Sequence, residues 1–177
     1  MREPEPQIVG RARRGDMAAF EELVRGCQAD VYRLALHLVR NPTLAEDVTQ
    51  EAFLHAYRSL RRFRGQSRFS TWLYRITRNC AVDAIRRSAR QRRLAQEASP
   101  PSPVPDPSLR AAISGAIDSL PTELREAFVL IEVFGLSYRE TAVVLGVVPG
   151  TLKSRMHRTR RLLIEALGEE EEGVDEV

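Results

Sequence analysis

The side chains best suited to covalent chemistry or metal binding are few and scattered in this 177-residue chain. Cys27 and Cys80 stand alone, each on the apolar stripe of a predicted helix, so buried free thiols are expected and a disulfide is not. His37, His55 and His157 share no ligand spacing, which argues against a zinc site, and no cofactor is expected. No clustered metal carboxylates, nucleophile–base pair or phosphate-cradling glycine loop stands out, so the chain does not read as an enzyme. What the sequence concentrates instead is hydrogen-bonding and charge. Twelve arginines lie between Arg58 and Arg93 against a single acid, Asp83. Such a segment suits phosphates better than it suits an idle solvated surface.

Three groupings carry this chemistry. The first is Phe63-Arg64-Gly65-Gln66-Ser67-Arg68-Phe69, where aromatic rings alternate with arginines. That composition suits single-stranded nucleic acid, because rings or apolar pockets hold unstacked bases while guanidinium groups hold the backbone. Trp72 and Leu73 just beyond fit the core of a helix at least as well. Asn79, Asp83, Arg86 and Arg87 follow at helical spacing, with Arg86 and Arg87 near a phosphate path.

The second grouping is "SYRETAVVLGVVPGTLKSRMHRTRRLL", two helical stretches either side of a short turn containing Gly146. This is the helix-turn-helix plan, in which the second helix enters the major groove. At ~100° per residue, Leu152, Met156, Thr159 and Leu163 fall within about 60° of one another. Lys153, Ser154, His157, Arg158 and Arg161 lie opposite, and Arg155 and Arg160 flank the boundary. One face serves the domain's own core, and the other presents donors to base edges and backbone.

The third is "LAEDVTQEAF". Glu46, Asp47 and Glu51 are the only acids between Val31 and Val82. On a helical wheel Ala45, Val48, Ala52, Ala56 and Leu60 form an inward stripe, while Asp47, Gln50 and Glu51 fall on the far side with Leu54 and Arg58. A leucine ringed by acids, an amide and an arginine has the composition of a small protein-docking patch, although an ordinary solvated face fits the same residues.

The elements that must position these groups read as helices throughout. Strand alternation and hairpin signals are weak, so an all-α fold is expected. Phe20, Leu23, Val24, Cys27, Val31, Leu34 and Leu38 keep helical spacing, with Asp16 as the starting cap and Asn41-Pro42 as the stop. A second helix opens at Thr43, which with Glu46 has the capping-box form, and runs to about Leu60. A third runs from about Thr71 towards Arg93. Further helices are expected over residues 109–119, 122–134, 137–145 and 149–167, with Gly135 and Gly146 at helix ends.

Two small helical domains follow, residues 1–95 and 109–168, the second a helix-turn-helix domain. Between them residues 96–108 form a proline-rich linker: "SPPSPVPDPS" holds five prolines, which forbid a continuing helix and favour an extended tether. Residues 169–177 form an acidic tail, expected to be disordered. No stretch approaches the ~20 apolar residues of a membrane span and no leader is recognisable, so a cytoplasmic protein is expected. One half thus suits duplex DNA and the other an unstacked strand, a pairing that points to a protein that opens DNA.

"AEDVTQEAFLHAYRSLRRFRGQSRFSTWLYRITRNCAVDAIRR" followed by "LPTELREAFVLIEVFGLSYRETAVVLGVVPGTLKSRMHRTRR" resembles the extracytoplasmic-function group of bacterial sigma-70-type sigma factors, from about Phe20 to Leu167. The resemblance implies a two-domain initiation factor that joins core RNA polymerase through its clamp helices and flap. It further implies −10 promoter contacts by the first domain and −35 contacts by the helix-turn-helix. An anti-sigma partner is also implied. Asp47, Gln50 and Glu51 match the surface for the clamp helices. The loop Phe63 to Phe69 matches the element that captures an unstacked −10 base, and Asn79 a −10-contacting asparagine. Lys153, Ser154, His157 and Arg158 match −35-reading positions. Two positions depart from the pattern. Pro149 stands directly before Gly150, where one residue usually separates them, and Thr141 replaces the usual isoleucine. An autonomous helix-turn-helix regulator is the alternative, but it leaves the arginine–aromatic loop and the acidic face unused.

Overall fold

A computed structural model describes residues 1–95 and 109–168 of the chain; the expected linker and acidic tail lie outside the described residues. The chain divides into two compact units, and no strand occurs among the described residues. The first unit holds α1 (Pro6–Arg13), α2 (Met17–Val39), α3 (Pro42–Ser59), a 3₁₀ turn (Leu60–Arg62) and α4 (Phe69–Ala95).

The long helices pack mutually, α2 on α3 and α4, and α3 on α4. Each offers the stripe its spacing dictates. Leu23, Cys27, Val31, Leu34 and Leu38 are buried on α2, and Leu73, Tyr74, Thr77, Cys80, Ala81 and Ala84 on α4. The stripe of α3 is made of small residues, Ala45, Val48, Thr49, Ala52 and Ala56, which lets its neighbours approach closely. Both cysteines are free and buried as expected. Burial pushes each thiol up to about 11, so neither is a thiolate at neutral pH.

Helix boundaries follow local chemistry, with four differences from the sequence expectation. Asp16 caps α2 as expected, its carboxylate accepting from the Ala19 N–H at 3.0 Å. The start of α3 is not a Thr43–Glu46 capping box. Asn41, in extended conformation, accepts from the Leu44 N–H at 2.9 Å, and Pro42 occupies the first turn. Asparagine is the stronger cap and proline is preorganised for that turn, so together they draw the start back past Thr43. α1 has no counterpart in the periodicity reading. It is too short to display a pattern and is held by burying Val9 and Ala12 against its neighbours. α4 begins at Phe69, two residues before the expected Thr71.

The second unit holds α5 (Leu109–Ser119), α6 (Thr122–Phe128), most of α7 (Tyr138–Leu145) and α8 (Pro149–Gly168). The fourth difference lies here. The helix expected over residues 122–134 passes into a single π turn at Val129–Val133, closed by the Phe134 N–H on the Val129 carbonyl at 3.0 Å. α6 and α5 both pack on α8. Arg125 is buried and donates from Nη1 to the Asp118 carbonyl at 3.2 Å, tying the α5–α6 corner.

Candidate nucleic-acid interface

The turn between α7 and α8 sets the geometry of the second unit. Ser137 and Glu140 form a full capping box at the start of α7. Gly146 ends it at φ 68°, a conformation that costs glycine nothing and a β-carbon much more. Pro149 then occupies the first position of α8, where its missing N–H is not needed. Its displacement relative to the usual pattern therefore leaves a regular helix start.

On α8, Leu152, Met156 and Thr159 are buried and Leu163 is half-buried. Lys153, Ser154, His157, Arg158 and Arg161 are exposed on the opposite side, as their spacing predicts. The arginines are not equivalent. Arg155 is only 19% exposed and pairs with Glu123 of α6 at 2.7 Å, which ties α8 to α6. Arg160 pairs with Glu132 at 3.6 Å and Arg161 with Glu165 at 3.5 Å. Lys153, His157 and Arg158 have no ion-pair partner among the described residues, so their donors are the ones left for an incoming ligand.

In the first unit the loop between the 3₁₀ turn and α4 is shaped by three rings. Phe63, Phe69 and Trp72 are 9%, 4% and 8% exposed, with centroids 5.0–6.0 Å apart. The sequence suggested these loop aromatics as base platforms. The structure turns Phe63 and Phe69 inward, and Trp72 takes the core role. Such a cluster is worth more buried than wet, so the rings serve as a rigid base for the loop. Arg64, Gly65, Gln66 and Arg68 are left exposed, Ser67 is half-buried, and Gly65 makes the bend at φ 69°.

Along α4, Asn79 and Arg86 are exposed on one face. Arg75 and Arg90 lie within about 60° of them at 3.6 residues per turn and are exposed too. The sequence reading passed over these two; the spacing 75, 79, 86, 90 was the available signal. Arg87 points elsewhere. Its guanidinium reaches across to Glu51 of α3, Nη2 to Oε2 at 2.7 Å.

That bond reorganises the acidic face. Asp47, Gln50 and Leu54 are exposed on α3, Leu54 at 55%. Glu51 is half-buried, and the hydrogen bond from Arg87 holds its carboxyl below the usual range. A groove of about 230 Å³ runs beside the pair, lined by Leu44, Asp47 and Glu51 from α3 and by Ala84, Arg87 and Ser88 from α4. No group of three or more potential metal ligands occurs among the described residues, and no helix there is long and apolar enough to cross a membrane.

Comparison with known proteins agrees with this architecture. Residues 23–91 match the family model for sigma-70 region 2, and residues 110–163 match that for sigma-70 region 4. The ECF RNA polymerase sigma factor SigE of Mycolicibacterium smegmatis is 41% identical over 166 residues, covering 86% of this chain and 64% of that relative's length. The RNA polymerase sigma-H factor of Pseudomonas aeruginosa is 38% identical over 184 residues, covering 93% of this chain and 94% of the relative. Among solved structures, sigma factor RpoE in complex with the anti-sigma factor NepR, from Bartonella quintana, superposes with a TM-score of 0.73 at 26% identity. It covers 89% of this chain and 98% of that one. Regions 2 and 4 on one all-α chain define a sigma-70-type transcription initiation factor. The chain belongs to the extracytoplasmic-function (ECF) group of that family.

Proposed function

We propose that this chain is a promoter-specificity subunit that joins core RNA polymerase and directs transcription initiation. The observation that carries the reading is the two-faced α8. A buried stripe of Leu152, Met156 and Thr159 holds the helix on its unit, and Lys153, His157 and Arg158 stand opposite without ion-pair partners among the described residues. In this reading α8 enters the major groove of the −35 duplex, where Lys153, Ser154, His157 and Arg158 meet base edges and Arg161 the backbone. Arg155 positions the helix through Glu123.

The loop of Arg64, Gln66, Ser67 and Arg68 holds an unstacked −10 strand over its aromatic base. The α4 face bearing Arg75, Asn79, Arg86 and Arg90 follows the backbone. Asp47, Gln50 and Leu54 dock on the polymerase clamp helices, with Glu51 and Arg87 fixing the α3–α4 geometry beneath them. Residues 1–95 and 109–168 act as separate domains, and the 96–108 linker lets them reach two sites on one promoter. The chain performs no bond chemistry; strand opening is driven by binding energy for unstacked bases within the polymerase complex. It acts in the cytoplasm, and an anti-sigma factor holds it until released, as the complexed relative suggests.

The test is transcription from genomic DNA fragments by core polymerase with and without the purified chain, with the chain alone as control. Starts that depend on both components, mapped by sequencing, are the expected result and would also yield the promoter. Duplex binding by the chain without polymerase-dependent starts would sink the proposal.

A further inference from the structure

α4 begins without a cap of its own. The residue before its first turn is Arg68, whose side chain has donors only, so the first N–H groups of the helix need an acceptor from elsewhere. The acceptor comes from sixty-six residues earlier in the chain. Glu3 Oε1 accepts from the Phe69 N–H at 2.6 Å, and Oε2 accepts from the Ser70 N–H at 3.2 Å. The same carboxylate lies 3.5 Å from Arg68 Nε. At the other end of the loop, α1 packs against the Leu60–Arg62 turn. The N-terminal segment thus holds both ends of the loop that carries Arg64 to Arg68.

We propose that Glu3 is a positioning residue for the −10 strand: by capping α4 it fixes the exit of the loop and keeps the exposed side chains in a binding-ready arrangement. The inference rests on the proposed role of that loop. Without the cap, the first turn of α4 frays, and binding a strand must then order it at a cost in affinity. Charge alone predicts the opposite sign. Glu3 is an anion beside a loop that meets phosphates, so its removal would strengthen binding if electrostatics were its whole effect. Glutamine separates the two, since its carbonyl still accepts from one amide while the charge is gone.

The experiment uses the full chain assembled with core RNA polymerase. The probe is a fluorescent single-stranded DNA carrying the −10 segment of a promoter mapped by transcript starts. Glu3→Ala is expected to weaken strand binding about fivefold, the scale of a lost helix cap, and to speed amide exchange at Phe69 and Ser70. Glu3→Gln should bind closer to the unmodified chain, and duplex −35 affinity should be the same in all three. Strand binding by Glu3→Ala that equals or exceeds that of the unmodified chain overturns the inference, as does unchanged exchange at the two amides or a parallel loss of duplex binding. Arg64→Ala tests the underlying reading separately. If it leaves strand binding intact, the loop is not the contact, whatever the Glu3 variants do.

Discussion

Thr141 is fully buried on α7, and its hydroxyl has no hydrogen-bond partner among the described residues. A buried hydroxyl without a partner costs about 1–3 kcal/mol of desolvation, part of which an apolar isostere recovers. Thr141→Val should therefore stabilise the second unit by about 1 kcal/mol, read as a rise in the denaturant midpoint. An unchanged or lower midpoint would mean that water or a neighbour already satisfies the hydroxyl. At the same scale, the structure alters the choice of probe for polymerase docking. Glu51 is tied to Arg87, so substituting it disturbs the α3–α4 contact as well as the face. Leu54, which projects freely, is the cleaner test. Leu54→Ala should weaken polymerase binding about tenfold, as for an interface anchor, with no change in thermal midpoint. Equal affinity would remove Leu54 from the docking face.

Among the elements, α3 and α4 are joined by a charged pair whose behaviour depends on pH. The hydrogen bond from Arg87 depresses the Glu51 carboxyl in the folded state. A depressed acid stabilises the fold at pH values above the ordinary glutamate range, and that contribution is lost as pH falls through its folded value. Arg87→Gln should accordingly lower the melting temperature in neutral buffer and make little difference in acid. A gap that persists or widens in acid would contradict the pair's role. α7 depends on its capping box in a way open to direct test. Ser137→Ala removes the side-chain acceptor of the Glu140 N–H and should cost about 1 kcal/mol. The expected reading is a lower midpoint together with weaker duplex binding, because the turn at Gly146 joins α7 directly to the start of α8.

Across the whole molecule, the proposed assignment of DNA contacts to α8 and polymerase docking to α3 yields a paired prediction for the full chain. Asp47→Lys should weaken polymerase binding and leave duplex −35 affinity unchanged. Arg161→Ala, which removes the proposed backbone contact, should do the reverse and reduce the slope of log affinity against log salt by about one, the loss of one phosphate contact. Both functions falling together in either variant would argue against two independent domains.

Much of this was legible beforehand because it depends on local spacing. The apolar stripes of α2, α3 and α8 recur every three or four residues, and side chains on such stripes are buried whatever the partner is. The opposite face of α8 follows by exclusion, as do the helix ends at Gly135 and Gly146, where only glycine sits at ease with positive φ. What the tertiary structure alone decided is which side chains meet across turns and between helices. Phe63, Phe69 and Trp72 form a ring cluster that leaves the loop its polar edge; Arg87 pairs with Glu51 of α3; Arg155 pairs with Glu123 of α6. α4 gained its first turn from Glu3, at the other end of the unit. Periodicity records which way a side chain points on its own helix. Which acceptor, ring or carboxylate stands opposite it is settled only when the helices pack.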